Sequence, residues 1–488
     1  MYLKIKDLLK LFFITFIIYI MFCSFLFAKK VNLLEMYRIA SQDSPILKSA
    51  NSFYQSERTK IPQARALFLP NLSFIGELGT KGTYEESNYK GLTNQYSLGI
   101  TLSQTIFDYS AYHFNDVIKN QVNSAYQMLT YQKQLFMMMV AKSYLTVILS
   151  EANIKVSEEQ INATEAALTQ AKEQQRLGQK NISELQQIQS VLYSSKAELI
   201  KAINSYETSK YNLTALTGIQ DMDLMPTKGN IPIFGPIPKH IDKWVNMALR
   251  NNKKLASFRY KLKTYRSRVD VCKGNFYPKI NLSASYFQLL SPTYEPGFGQ
   301  GFFNQKIPST KLNKLDSSST CMSYASNQLM PSKYSRGWSQ LKGQRINSGM
   351  INLNFTWNIF NGGTDYYKVK QATENYQKSS YETLQMERDI KLMTEQNYLN
   401  VINSIGKIKA LKQAKIASDI AYKMLSEKHR LGATPINQVL QQMQITFQNA
   451  YNLTESKFIY IGNILQLKLD AGILSLDDII EINYWLQN

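Results

Sequence analysis

The sequence predicts an exported α+β membrane protein in which a few barrel-type β-strands alternate with very long helices. Three observations predict it: a signal-like start, four segments that alternate in polarity, and two stretches of nearly 70 residues almost free of Gly and Pro. The chain has 488 residues but only 22 Gly and 13 Pro, so long uninterrupted elements are expected. Hydrophobic residues at 44% and a mean hydropathy of −0.28 exclude both a disordered polymer and a bundle of apolar spanning helices.

At the start, Lys4, Lys6 and Lys10 precede an uncharged run from Leu11 to Phe27, followed by Ala28 and then Lys29 and Lys30. A basic head, an apolar stretch and a small residue make a secretory signal over residues 1–28, with Leu26 a poor fit to the small residue expected before the cut. An uncleaved anchor helix is the alternative. Cys23 as a lipid attachment site is opposed by the bulky Phe22 before it. The mature chain would keep Cys272 and Cys321, separated by a strand and a long loop. A distance of about 30 Å or more is expected between them, and no bridge. No second apolar run reaches the ~18 residues of a spanning helix, since Leu135 to Leu149 is interrupted by Lys142, Ser143 and Tyr144. The protein is then soluble in the periplasm, secreted, or inserted as a β-barrel.

The strand segments bear on that choice. Leu72, Phe74, Gly76 and Leu78 alternate with Ser73, Ile75 and Glu77; Tyr96, Leu98, Ile100 and Leu102 alternate with Ser97, Gly99 and Thr101. Ile280, Leu282, Ala284 and Tyr286 alternate with Asn281, Ser283 and Ser285. In the fourth segment Ile351, Leu353, Phe355, Trp357 and Ile359 alternate with Asn352, Asn354, Thr356 and Asn358. Side chains in a strand point to opposite faces with period two. A soluble sandwich gives the same alternation. The small polar face of Asn, Ser and Thr, set against aromatic residues on the apolar face, is what lipid outside and water inside would select.

Asp108 to Leu177 contains neither Pro nor Gly, and as one helix these roughly 70 residues would extend ~105 Å. Thr364 to Leu431 is broken only by Gly406. There Ile405, Ile408, Leu411, Ile416, Ile420 and Met424 recur at helical spacing among Lys407, Lys409, Lys412, Lys415 and Lys423. A narrow apolar seam with a wide polar surface predicts helices packed side by side.

The two halves of the chain repeat one plan. Each has a Pro entering a strand (Leu69-Pro70-Asn71-Leu72, Tyr277-Pro278-Lys279-Ile280), a hairpin, Ile-Phe followed by Asp108 or Asn361, and a long helix. Each helix ends in Arg-Leu-Gly (Arg176-Leu177-Gly178, Arg430-Leu431-Gly432), and each half closes at Gly218 or Gly472. With Ser103-Gln104-Thr105-Ile106-Phe107-Asp108 and the Gly turns before Ile182-Ser183-Glu184-Leu185 and Ile436-Asn437-Gln438-Val439, the chain resembles the TolC family of outer membrane efflux proteins over almost its whole mature length. The expected division is a signal at 1–28, a first repeat at 29–218, a linker at 219–239, a second repeat at 240–472 and a tail at 473–488.

That resemblance implies a homotrimer forming a 12-stranded β-barrel, four strands per protomer, continued by a long periplasmic α-helical barrel. It implies an exit duct in the outer membrane for a tripartite efflux pump or type I secretion system. The partners would be a periplasmic adaptor (membrane fusion) protein, an inner-membrane pump and outer membrane lipid. The adaptor would dock on Arg176, Leu177, Gly178, Arg430, Leu431 and Gly432. The periplasmic gate would involve Glu184, His429, Thr434, Gln438 and Gln441. Two carboxylates that make acidic rings at the family's constriction are Gln438 and Gln441 here, so strong cation selectivity and multivalent cation block are not expected. Closure in the family also uses side-chain links. The carboxylate is kept as Glu184, while the aromatic and basic partner positions hold His429 and Thr434. A Glu184–His429 link would strengthen as the imidazole protonates; the plain alternative is a solvated His at a helix end.

The second hairpin is about 45 residues longer than the first, and its stretch Phe303 to Ser348 holds seven Lys and Arg against Asp316 alone. Facing outward, such a loop would meet lipopolysaccharide phosphates; a lysine-rich solvated loop is the equal alternative. The net charge of +20 is spread through the helices without a nucleic-acid motif. No catalytic constellation appears around His113, His240 and His429, and no cofactor is expected. The rival reading is a coiled-coil structural protein or adhesin.

Overall fold

The computed structural model describes residues 30–85, 88–177, 181–219, 223–225, 231–290 and 345–487. The expected signal, the lipid-site candidate Cys23 and nearly all of the basic insertion lie outside the described residues. The chain divides into two compact units. One comprises residues up to Asn51, Leu129–Lys253 and Glu387–Asn488; the other comprises Ser52–Met128 and Lys254–Met386.

The element order runs twice. In the first half it is strand β1 (Lys30–Val31), helices α1 (Leu33–Asp43) and α2 (Pro45–Arg65), a 3-10 turn (Ala66–Phe68), strands β2 (Asn71–Glu85) and β3 (Asn88–Phe107), and helices α3 (Tyr109–Arg176) and α4 (Ile182–Thr217). The second half has β4 (Asp223–Leu224), α5 (Ile241–Asn251), α6 (Lys253–Lys273), a 3-10 turn (Gly274–Phe276), β5 (Lys279–Leu290), β6 (Arg345–Thr356), α7 (Thr364–Arg430) and α8 (Ile436–Asp470). A last helix, α9 (Leu476–Gln487), follows.

The first unit is helical around one large core. Its fully buried side chains include Leu33, Met36, Tyr144, Leu213, Tyr460, Ile461 and Leu465. The α3 window apolar enough to cross a membrane by length and composition lies half buried in the chain. The segment expected as the C-terminal tail carries α9, whose Ile479, Ile482 and Leu486 are buried in the same core. The linker is also tied in. β4 pairs parallel with β1, and the Tyr460 hydroxyl donates to the Phe234 carbonyl oxygen at 2.7 Å.

A tight crossing holds α8 to α5. Gly472 adopts φ +70°, and its amide and that of Ile473 donate to Leu469 O and Lys468 O, closing α8 with a left-handed cap. Asn252 Nδ2 donates to Asp470 O at 2.8 Å, and Gln134 Nε2 donates to Leu474 O at 2.9 Å. The buried Asp470 carboxylate accepts from Asn397 at 2.6 Å and Gln466 at 3.0 Å. Burial raises its pKa, and these two hydrogen bonds oppose the rise.

The second unit carries a four-stranded antiparallel sheet in the order β2-β3-β5-β6. Its strands join the helices at a packed corner. Asp108 Oδ1 caps α3 by accepting from Ser110 N at 2.8 Å, and its other oxygen pairs with Lys279 at 3.0 Å. The Ser110 hydroxyl donates to Val271 O at 3.0 Å, and a Cβ on Gly274 would lie 2.6 Å from Ser110 N. In the second half Asn275 and Asn361 donate to the buried Asp365 carboxylate. The fourth strand ends at Thr356, short of Ile359, because a turn with positive φ at Gly362 and Gly363 redirects the chain into α7.

The expectation that Cys272 and Cys321 stay unbridged falls on Cys321, which lies outside the described residues. Cys272 is fully buried and disulfide-bonded, and the sequence offers only Cys23 and Cys321 as partners, both outside the described residues.

Candidate functional site

In the sheet, ladder pairs place residues side by side on one face. Leu72, Leu102, Ala284 and Ile351 form one row, and Phe74, Ile100, Tyr286 and Gly349 form the next. On the opposite face the rows read Asn71, Ser103, Ser283, Asn352 and then Ser73, Thr101, Ser285, Met350. Burial is inverted relative to a water-soluble sheet. Phe74 is 71% exposed, Leu78 80% and Ile351 78%, whereas Thr101 is 6% and Ser283 9% exposed. An apolar surface of this extent left outward on a twisted sheet has to be covered by something other than water.

In the first unit, the ends of four helices share one cluster. Ile161, Leu168 and Ala171 of α3, Ile188 and Leu192 of α4, and Ile436, Val439, Leu440 and Met443 of α8 are buried together, with Tyr422 and Leu425 of α7 against them. The two Arg-Leu-Gly turns are thereby brought to one end. They share a device: Arg176 pairs with Glu173 at 3.0 Å and Arg430 with Glu427 at 2.9 Å, both exposed and so of small energetic weight. Leu177 and Leu431 are 62% and 73% exposed. Gly178 lies outside the described residues.

Gly432 has φ +76°, with Gly432 N donating to His429 O and Ala433 N to Lys428 O, both at 2.9 Å. The glycine is thus required as a helix cap whatever else it does. His429 Nδ1 lies 2.7 Å from Thr434 O, so two of the expected gate residues meet within one turn. Glu184 sits in the first turn of α4, behind the cap Asn181, where the helix dipole favours a carboxylate.

Gln438 and Gln441 are exposed on α8, away from buried Ile436, Val439, Leu440 and Met443. Gln444 and Gln448 extend the same exposed amide face, a feature that the sequence reading missed. Its signal was available in the spacing of the amides along α8.

The seam predicted on α7 splits in two. Ile408 is buried and Ile405 packs against the core, but Ile416, Ile420 and Met424 are 46%, 56% and 57% exposed. On α4, Ile182, Tyr193, Ile200 and Tyr211 are likewise exposed and recur at helical spacing along one face.

The profile of the family described as Outer membrane efflux protein matches residues 36–219 and 244–455. Outer membrane protein TolC of Salmonella enteritidis is 21% identical over 456 residues, covering 93% of this chain and 84% of that protein. Alkaline protease secretion protein AprF of Pseudomonas aeruginosa is 21% identical, covering 92% of this chain and 86% of its own length. Among solved structures, that of CusC superposes with a TM-score of 0.71 at 14% identity, covering 91% of this chain and 93% of that one. The Campylobacter jejuni CmeC outer membrane channel gives 0.69 at 14%, with 94% and 90% covered. With the profile matched over most of its length and the fold shared, this chain belongs to the outer membrane efflux protein family.

Proposed function

We propose that three copies of this chain form a passive duct through the outer membrane, each giving four strands to one 12-stranded barrel that is continued by a periplasmic barrel of helices. The inverted sheet carries the reading. Its apolar face suits lipid and its Ser, Asn and Thr face suits a water-filled lumen. Within one chain β2 and β6 are edge strands. An edge in hydrocarbon leaves backbone donors and acceptors unpaired at several kcal/mol each, which identical chains relieve by closing a ring. The exposed stripes on α4 and α7 are apolar surfaces of the kind that ring closure buries. The doubled element order supports an internal duplication, with repeats at 29–218 and 240–472 joined through 219–239.

The duct would serve a tripartite efflux pump or a type I secretion system, as relatives named for protease secretion suggest. Energy would come from an inner-membrane transporter reached through a periplasmic adaptor, which docks on Arg176, Leu177, Gly178, Arg430, Leu431 and Gly432. The exposed leucines offer it apolar anchors between charged rims. Glu184, His429, Thr434, Gln438 and Gln441 would line the gate beside it. Reconstitution of the purified protein in planar bilayers tests the duct: discrete channels and a heat-modifiable trimer are expected, and a water-soluble monomer without conductance refutes it. Gly178→Val and Gly432→Val are expected to impair pump-dependent efflux with trimer yield intact; unchanged efflux removes the docking site.

A further inference from the structure

The polar face of the sheet changes character over two adjacent rows. Starting at the helix end, its rows are Thr105, Asn281 and Asn354; then Asn71, Ser103, Ser283 and Asn352; then Ser73, Thr101, Ser285 and Met350; then Ile75, Gly99, Phe287 and Ser348. The first two rows hold only Asn, Ser and Thr. The third and fourth hold Met350, Ile75 and Phe287, each half-buried, and the ladder continues beyond them. Counting from Thr105 to Gly99 at about 3.3 Å per residue, the interruption lies ~20 Å along the wall.

Phe287 has a built seat. A Cβ on Gly99 would stand 2.1 and 2.3 Å from two atoms of the Phe287 ring, so the ring occupies the space over the glycine opposite it. Only glycine leaves that space, and the ring is held along the wall, not across the lumen. The ring covers β3 at Gly99, and the half-buried residue keeps part of its surface open. Aromatic solutes pack on such a surface, and a neighbouring methionine adds polarisable contacts.

We infer that Ile75, Phe287 and Met350 form an apolar collar on the water side of the barrel wall, repeated in each copy, that binds aromatic amphipathic molecules in transit. This rests on the reading of the polar face as the lumen. Hydrated Ser and Asn give an apolar solute no reason to pause. A band of apolar patches two rows deep retains it by burying its surface, and an aromatic solute gains stacking besides.

Single-channel recording on the full trimer tests the inference, with tetraphenylphosphonium added to the aqueous chamber and tetramethylammonium as the ring-free cation of equal charge. Transient block by the aromatic cation alone is expected, and Phe287→Ser is expected to weaken it roughly two- to tenfold, the affinity carried by an aromatic pair. Phe287→Leu, which keeps the apolar volume without the ring, serves where Ser impairs insertion, and a smaller weakening is expected. Open channels whose block is the same in wild type and both variants overturn the collar while leaving the duct in place. Absence of any conductance overturns the duct, and the collar with it.

Discussion

Gly218 and Gly472 close the two halves of the chain at corresponding points, with φ +75° and +70°, yet their surroundings differ. A Cβ on Gly218 would meet nothing within 4 Å. On Gly472 it would lie 2.4 Å from Asn251 O, 2.5 Å from Asn251 C and 2.7 Å from Asn252 Cα. Those are backbone atoms at the junction of α5 and α6, pinned by the Asn252 hydrogen bond to Asp470 O. Gly218→Ala therefore costs only the left-handed conformation, about 1–2 kcal/mol. Gly472→Ala adds a backbone clash in a packed core, typically a further ~1–3 kcal/mol, and works against the bonds from Asn252 and Gln134. For a cooperative unit of this size each kcal/mol moves Tm by roughly 1–2 °C. Helical circular dichroism during heating in detergent should then show a drop of about 1–3 °C for Gly218→Ala and on the order of 5 °C for Gly472→Ala. Equal drops would refute the reasoning, because the two substitutions share the conformational cost and differ only in the clash.

Three further outcomes follow from the described contacts. Gln438→Asp with Gln441→Asp would place two carboxylate rings at the proposed gate, and block of bilayer conductance by hexamminecobalt should strengthen by roughly tenfold or more; an indifferent variant means that these positions do not line the entrance. Asp470 has its folded pKa raised, so its contribution is fully present below the unfolded carboxylate range and is lost as pH rises through the folded value. The wild type should therefore gain thermal stability relative to Asp470→Asn as pH falls from 7 toward 4, and a pH-independent difference in Tm excludes this. His429→Phe removes the ring's bond to Thr434 O, worth about 1 kcal/mol, and should speed amide exchange over residues 431–434; conductance and pH dependence left unchanged would exclude a gating link to Glu184.

Local rules made much of this protein legible. The two long helices end where Arg176 and Arg430 precede a turn, as the absence of Gly and Pro required, and the four strands fall where polarity alternates. Period-two and period-3.6 patterns are properties of consecutive residues, so they survive without knowledge of contacts. The seam on α7 shows the limit: spacing identified Ile405 to Met424 as apolar, but only packing separated buried Ile408 from exposed Ile420. The tail is similar, since Ile479, Ile482 and Leu486 at helical spacing do not say which core receives them.

By itself, then, the sequence determined which segments are helix or strand, which strand face is apolar, and the family plan that orders them. Tertiary structure alone decided that Gly472 touches Asn251, that His429 meets Thr434, that Phe287 lies on Gly99 and that Cys272 is bridged. The reason is physical. Periodicity is written along the chain, but these pairings join residues brought close by sheet register, helix crossing or loop closure, and no local pattern encodes the distance between them.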